Sequence, residues 1–368
     1  MILSKKIKVC ILTSVHPPFD IRIFHKEAKS LVKAGYNVTL IAAHDKPEMV
    51  DGIKLVFLPK PKNRLQRIIK TTWQVYKAGC EINADIYHFH DPELIPIGLL
   101  LKHRKKRVIY DVHEDVPSQN LSKAYIPTPL RKFISLIISL IETFSARRFD
   151  GVITATPFIK ERFSKIGVNA INVNNFPLSS ELLIAESQWG KKERVVCYIG
   201  NIDKIRGAVE MVEAIGETEY KLLLAGNFEH SFEEKLKQLP GWKQVQVLGF
   251  LDRKSVVTIM ASSMAGLVLF HPAPNHLNAL PNKMFEYMSA GIPIIASDFP
   301  RWRQIIDNVG CGILVNPLDT KAIADGIRWI VKHPAEAKEM GLRGRRAVER
   351  SYNWEIEENK LINLYKEI

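Results

Sequence analysis

The segment HPAPNHLNALPNKMFEYMSAGIPIIAS (271–297) follows an apolar run, AGLVLF (265–270), and holds most of the chain's chemical promise. Pro281 suits the first turn of a helix running to Ala290, because a helix start leaves that amide unpaired anyway, and Gly291 suits the left-handed closing position. The amides around Ala279, Leu280, Asn282 and Lys283 would then point out of a helix N-terminus, which cradles phosphate through geometry and dipole together. Glu286, further along the same helix, is within reach of a ribose hydroxyl pair. A second piece is YIGNIDKIRGAVEMVEAI (198–215): Gly200 ends a strand, the loop carries Asp203, Lys204 and Arg206, and Gly207 opens a helix. Cations there would neutralise charge developing on a departing diphosphate. No Asp-x-Asp pair occurs anywhere in the sequence, so the usual carboxylate clamp for a Mg²⁺–nucleotide is missing and Lys and Arg take over its work.

The first half holds a His-x-His-Asp run at His88, His90 and Asp91. Strand alternation puts both imidazoles on one face, which could suit a metal. No third well-spaced ligand stands out, and Asp91-Pro92 is also a good helix start, so no metal is expected. Asp20, Glu114 and Asp115 are weak candidates for a base and read as structural or capping acids.

The net charge of +13 is confined to one half. Residues 1–180 hold 28 Lys+Arg against 15 Asp+Glu, whereas residues 181–368 hold 24 of each. The excess clusters at 54–70 and 102–107, and a one-sided positive field fits a polyanionic partner such as an anionic membrane. Nucleic acid is disfavoured, because no reading motif is present and the basic residues are not interleaved with stacking aromatics. PLRKFISLIISLIETFSARRF (129–149) reads as an apolar helix bracketed by Arg131, Lys132, Arg147 and Arg148, able either to lie in an anionic interface or to pack in a core. No run is long enough to span a bilayer. The opening IKVCILT (7–13) reads as a buried strand rather than a signal peptide. Cys10, Cys80, Cys197 and Cys311 lack paired spacing and read as buried thiols in a reducing cytosol.

These residues need a frame. Apolar runs at 7–13, 36–43, 53–58, 85–89, 107–110 and 151–154 alternate with helical patterns, among them Arg22–Ala34 closed by Gly35. After a turn-rich stretch near 174–190 the alternation restarts, with runs at 193–200, 220–226, 245–250, 265–270, 292–297 and 312–315. Uninterrupted apolar strands separated by helices predict parallel sheets covered on both faces, with ligands at the carboxyl ends of the strands. The fold class is therefore α/β, two doubly wound Rossmann-like domains facing across a cleft: residues 1–178, residues 179–351, and a final helix (352–368) packing back on the first domain.

Gly200–Gly207, the loop Gly249-Phe250-Leu251 and LPNKMFEYMSAGIPIIA (280–296) resemble the donor domain of the GT-B glycosyltransferases of family 4. HPPFDIRIFHKEAKSLVKAGYNVTLIA (16–42) and YHFHDPELIPIGLL…VIYDVHED (87–115) resemble that family's acceptor domain. The resemblance covers nearly the whole chain in the right order. It implies a retaining transfer from a UDP- or GDP-sugar without a bound metal or other cofactor. Arg206 matches the family's phosphate-binding Lys, Glu286 the second acid of its Glu-x7-Glu motif, and His113 the acceptor-side His near the donor sugar. Gly200, Asn201, Lys204, Phe250, Leu251 and Asn278 to Asn282 fall at donor-binding positions, and Ser14, Val15 and His16 lie in a loop that approaches the diphosphate. Asn201 stands where the family commonly has Arg, Asn278 replaces the first acid, and the 14–18 loop lacks the usual glycines.

No carboxylate in the donor motifs has a claim to be a nucleophile, so attack on the same face as departure is favoured, the leaving diphosphate taking the acceptor's proton. The expected acceptor is a saccharide, lipid-linked and used in surface polysaccharide assembly, with the enzyme cytoplasmic or peripheral on the inner face of the membrane. A nucleotide-sugar 2-epimerase of the same fold and a non-catalytic partner subunit are the rival readings.

Overall fold

The computed structural model describes residues 6–121, 127–179, 181–182, 189–190 and 192–368. The chain forms two compact units, Met1–Asn175 with Ile356–Ile368, and Phe176–Glu355.

Unit 1 holds an eight-stranded sheet, from β1 (Lys8–Leu12), β2 (Asn37–Ala43), β3 (Glu48–Val50), β4 (Ile53–Leu58), β5 (Ile86–Phe89), β6 (Arg107–Val112), β7 (Gly151–Thr154) and β8 (Ala170–Asn172). Their order is β3-β4-β2-β1-β5-β6-β7-β8, all parallel except the edge pair β3–β4. β1 and β5 are buried along almost their whole length, which is why their sequences are unbroken apolar runs. The helical stretch after β1 is not uniform. Ile21–Ala28 is wound in wide i→i+5 turns before a regular helix takes over at Lys29–Lys33. Asp20 caps its start, accepting from the amides of Arg22 (2.8 Å) and Ile23 (2.9 Å). The wide winding brings residues five apart onto one face, so that Arg22 Nε lies 2.8 Å from Glu27 Oε1.

The helix Trp354–Glu367 belongs to unit 1 from Ile356 onward. There the buried Tyr365 hydroxyl meets His88 Nδ1 at 2.8 Å, and Glu357 accepts from the Asn174 amide at 2.9 Å.

Unit 2 holds a six-stranded parallel sheet, from β9 (Val195–Ile199), β10 (Lys221–Ala225), β11 (Val245–Gly249), β12 (Ala265–Val268), β13 (Ile294–Ser297) and β14 (Gly312–Val315). The order is β11-β10-β9-β12-β13-β14, and the strand sequence reverses at β9. Ligands of open parallel sheets gather at the carboxyl ends of the strands beside such a reversal. The two α/β units with their parallel sheets are the doubly wound architecture expected from the alternation of apolar runs.

Cys10, Cys197 and Cys311 are buried thiols, but Cys80 is only half-buried, its sulfur 2.8 Å from Arg104 on the surface. The helix-period pattern around Cys80 gave no means of telling a rim position from a core one. Among the described residues no helix is long and apolar enough to cross a membrane.

Candidate functional site

In unit 2 the loops following β9 and β12 flank the strand-order reversal, and both of the segments singled out in the sequence are there. Gly200 has φ of 143°, and a Cβ at that position would lie 2.5 Å from the ammonium of Lys283. Gly207 has φ of 76°, and a Cβ there would meet the Leu269 carbonyl at 2.0 Å, so only glycine lets the first loop lie against the end of β12. Between them Asp203 accepts from the Arg206 amide (2.9 Å) and pairs with its guanidinium (2.5 Å), closing a single tight turn at Lys204–Arg206. Arg206 and Lys283 both pack over Phe270, at 5.9 and 5.8 Å from the ring centroid, and Lys283 also faces Tyr198 at 5.1 Å. Burial lowers the Lys283 pKa to about 8 against the opposing charge of Glu286. Two cations and a helix start thus converge on one patch of unit 2, an arrangement suited to a diphosphate.

The helix that follows the β12 loop runs Asn282–Ala290, with Pro281 as the residue before it rather than in its first turn, and Gly291 (φ 71°) closes it. Trp302 Nε1 donates to the Ala279 carbonyl at 2.8 Å and anchors the preceding Asn278–Leu280 loop. Glu286 is held by Arg253, whose guanidinium reaches it at 2.8 Å and Glu181 at 2.6 Å. Asn201 and Lys204 are exposed, Phe250 is strongly so, and Leu251 packs against the core.

In unit 1 the strand order reverses at β1, and Ser14, Val15, His16, His90, Asp91 and His113 gather beyond β1, β5 and β6. Asp91 does not cap the turn that follows it. Its carboxylate accepts instead from the Ser14 amide (2.6 Å), the Val15 amide (3.2 Å) and the Thr13 hydroxyl (2.8 Å), so this loop's donors serve an internal acid. His113 Nε2 lies 3.0 Å from His90 Nδ1, and its ring is 5.0 Å from that of His16. Asp20 caps a helix, and Asp115 meets Ser118 and Arg162, so both carry the structural roles read for them; Glu114 is engaged by Gln119.

Burial lowers the His16 pKa, but its hydrogen bond to Asp20 and the charges of Asp91, Asp20 and Glu114 outweigh that, and the net shift is upward from 6.5. A group whose pKa rises on folding contributes stability that is complete below its unfolded value and lost as pH climbs through its folded value. Melting temperature is therefore expected to fall on going from about pH 6 to 9 by more in the wild type than in His16→Gln. Parallel profiles for the two proteins would show that the His16–Asp20 contact contributes nothing.

The family model for glycosyl transferases group 1 matches residues 179–347, and that for glycosyltransferase family 4 matches residues 22–174. The two cover nearly the whole chain without overlap. The chain belongs to the group 1 glycosyltransferases of the GT-B fold.

Among curated relatives, this glycosyltransferase is 21% identical to a phosphatidyl-myo-inositol mannosyltransferase of Mycobacterium leprae, over 86% of this chain and 79% of that one. It is 22% identical to the D-rhamnosyltransferase WbpZ of Pseudomonas aeruginosa, over 73% and 69%. Among solved structures it superposes on a sucrose-phosphate synthase of Thermosynechococcus elongatus with a TM-score of 0.80 at 17% identity, covering 99% of both chains. It also matches Anabaena HepE in complex with UDP-glucose, with a TM-score of 0.74 at 12% identity over 98% and 100% of the chains. The glycosyltransferase takes its sugar from a nucleotide sugar.

Sequence reasoning missed two residues of this site. Lys283 was counted only for its backbone amide, whereas the structure sets its ammonium against Gly200; a cation one turn before Glu286 was the available signal. Arg253 lies over thirty residues from Glu286, and nothing in its own surroundings announces the pairing.

Proposed function

We propose that the glycosyltransferase is a retaining enzyme that moves a sugar from a UDP- or GDP-sugar to a saccharide carried on a lipid, in surface polysaccharide assembly at the cytoplasmic face of a membrane. The observation that carries the donor half of this reading is the pair of cations, Arg206 and Lys283, packed over Phe270 beside the start of the helix at Asn282. Fixed positive charge there would stabilise the diphosphate as the bond to the sugar breaks, the task a divalent ion performs elsewhere. Glu286, steadied by Arg253, is the group proposed to hold the ribose hydroxyls. The acceptor hydroxyl then attacks from the face that the diphosphate leaves and gives its proton to it.

The lipid half of the proposal rests on the helix Thr128–Ala146. Its buried face carries Ser135, Glu142 and Ser145, with Glu142 accepting from the Tyr110 hydroxyl (2.9 Å), while Phe133, Leu136, Leu140 and Phe144 are each more than half exposed. An apolar stripe turned outward, with Arg147 and Arg148 exposed at its end, suits an anionic membrane surface.

Thermal unfolding with a panel of UDP-, GDP- and ADP-sugars in EDTA tests the donor reading. One nucleotide sugar is expected to raise the midpoint, and Glu286→Ala and Arg206→Ala to abolish the rise. A chain that no nucleotide sugar stabilises, with or without Mg²⁺, would instead fit a non-catalytic partner subunit. Sedimentation with phosphatidylglycerol vesicles tests the lipid reading. The double variant Phe133→Asp/Leu140→Asp is expected to lose at least 10-fold in vesicle affinity. Wild-type protein that stays in the supernatant at low salt would rule the membrane surface out.

A further inference from the structure

In the interior of unit 1 four potential ligands converge: Glu27, His88, His90 and Asp111, all buried. One ligand atom from each lies within 4.8 Å of all the others. His88 Nε2 is 3.7 Å from Asp111 Oδ2, and His90 Nε2 is 3.7 Å from Glu27 Oε2. Ligand atoms around a tetrahedral zinc stand about 3.3–3.6 Å apart, given bonds of 2.0–2.2 Å. Two of the six separations thus come within a few tenths of an ångström of that cage, and a small inward shift of the side chains would close the others.

We infer that this cluster is a binding site for one divalent cation of the zinc class. The decisive observation is the state of the inward atoms. Both oxygens of Glu27, Nε2 of His88 and Nε2 of His90 are buried without a hydrogen-bond partner. Leaving one such atom unsatisfied costs on the scale of a whole hydrogen bond, and here Glu27 Oε2 and the two ring nitrogens belong to one cluster. The Arg22 guanidinium is close, with Nε 2.8 Å from Glu27 Oε1, yet its N–H vectors are directed to Asp111 and the Val173 carbonyl. A proton shared between the two carboxylates would settle a carboxylate oxygen and leave both ring nitrogens unmet. One four-coordinate ion engages both rings and both acids.

The outer partners fit the same reading. Each imidazole has its second nitrogen occupied: His88 Nδ1 by the Tyr365 hydroxyl at 2.8 Å, and His90 Nδ1 by His113 Nε2 at 3.0 Å. Metal-bound histidines have this pattern, in which the second nitrogen fixes the tautomer. With His90 ligating through Nε2, its Nδ1–H donates to His113 Nε2, and His113 then carries its own proton on Nδ1. The ion would thereby set the tautomer of a histidine beyond the end of β6, and since all its ligands belong to unit 1, the inference holds whether or not the donor proposal does.

The full-length protein, stripped with EDTA and titrated with ZnCl₂ alone, tests this. It is expected to retain one zinc per chain through gel filtration and to melt at a higher temperature with zinc than without. Crystals should show an anomalous difference peak at the zinc edge among the four side chains. His90→Gln and Glu27→Gln are expected to lose the retained ion. Tyr365→Phe, which removes only an outer hydrogen bond and keeps the ring, should bind zinc about 10- to 100-fold more weakly. Wild-type protein that retains no stoichiometric zinc overturns the site even if the variants fail to fold, as does zinc retained equally by wild type, His90→Gln and Glu27→Gln.

Discussion

Replacing Lys283 by alanine is expected to lower kcat/KM for sugar transfer by about 10²- to 10³-fold, the usual loss when one preorganised group facing developing charge is removed. Most of that loss should appear in kcat, because the negative charge on the diphosphate grows as the sugar leaves and the ammonium gains most from it at that point. Arginine should not restore the rate. The ammonium lies so close to Gly200 that even a Cβ there would come within 2.5 Å of it, and a guanidinium is far larger. Since burial brings the Lys283 pKa to about 8, the free enzyme loses this charge as pH rises past that value, and kcat/KM should fall on the alkaline side with the same midpoint. Initial rates of nucleotide release across pH, for wild type and Lys283→Ala, check both statements. A variant within threefold of wild type would mean that the ammonium serves only to pack on Tyr198 and Phe270.

Arg22→Leu should destabilise unit 1 by about 3–5 kcal/mol, because it strips the cation from buried acids. Arg22 donates to Asp111 at 2.8 Å through its terminal nitrogen and to the Val173 carbonyl at 2.8 Å, tying the wide-turned helix to β6 and to the end of β8. Its charge holds the Asp111 carboxyl well below the ordinary range despite full burial. Burial and the Asp111 charge push Glu27 the other way, well above its ordinary value. The double variant Arg22→Leu/Asp111→Leu should recover part of the loss, since Asp111 no longer strands a charge and only Glu27 is left without its cation. Amide exchange of β1 and β5 in urea reads this for unit 1 alone. Equal protection in wild type and Arg22→Leu would contradict it.

The strands of both sheets were legible because parallel strands buried on two faces leave no room for polar alternation, and their apolar runs stand out from the helices between them. The two edge strands of unit 1 were not: β3 (Glu48–Val50) and β8 (Ala170–Asn172) are three residues each, partly exposed and too short to show a pattern. The wide turns of Ile21–Ala28 were not legible either, since the stripe of Phe24, Ala28 and Leu31 fits an ordinary helix equally well. What the winding changes is the partner of Arg22, five residues on at Glu27. The segments proposed to hold the diphosphate were readable because glycines, cations and a helix start lie within short stretches. The His88–His90 pair was visible for the same reason, while Glu27 and Asp111 arrive from 61 and 21 residues away through sheet topology. The outward face of the Thr128–Ala146 helix was ambiguous, because composition alone does not reveal that its serines and Glu142 are the buried side.

The two-part composition of unit 1 has a bearing on biosynthesis. Its final piece, Ile356–Ile368, leaves the ribosome only after all of Phe176–Glu355 has been made. Unit 2 is contiguous and is free to fold as it emerges, so the second unit in the sequence can be finished before the first. Until then β7 lacks Leu364 and Ile368 against Gly151, and the Tyr365 hydroxyl is not yet on His88. Unit 1 thus waits as an open sheet through about 180 residues of elongation, at ~5–20 residues per second. That interval of roughly 10–40 seconds is when chaperones have most to hold, and the arrival of Tyr365 is what ends it.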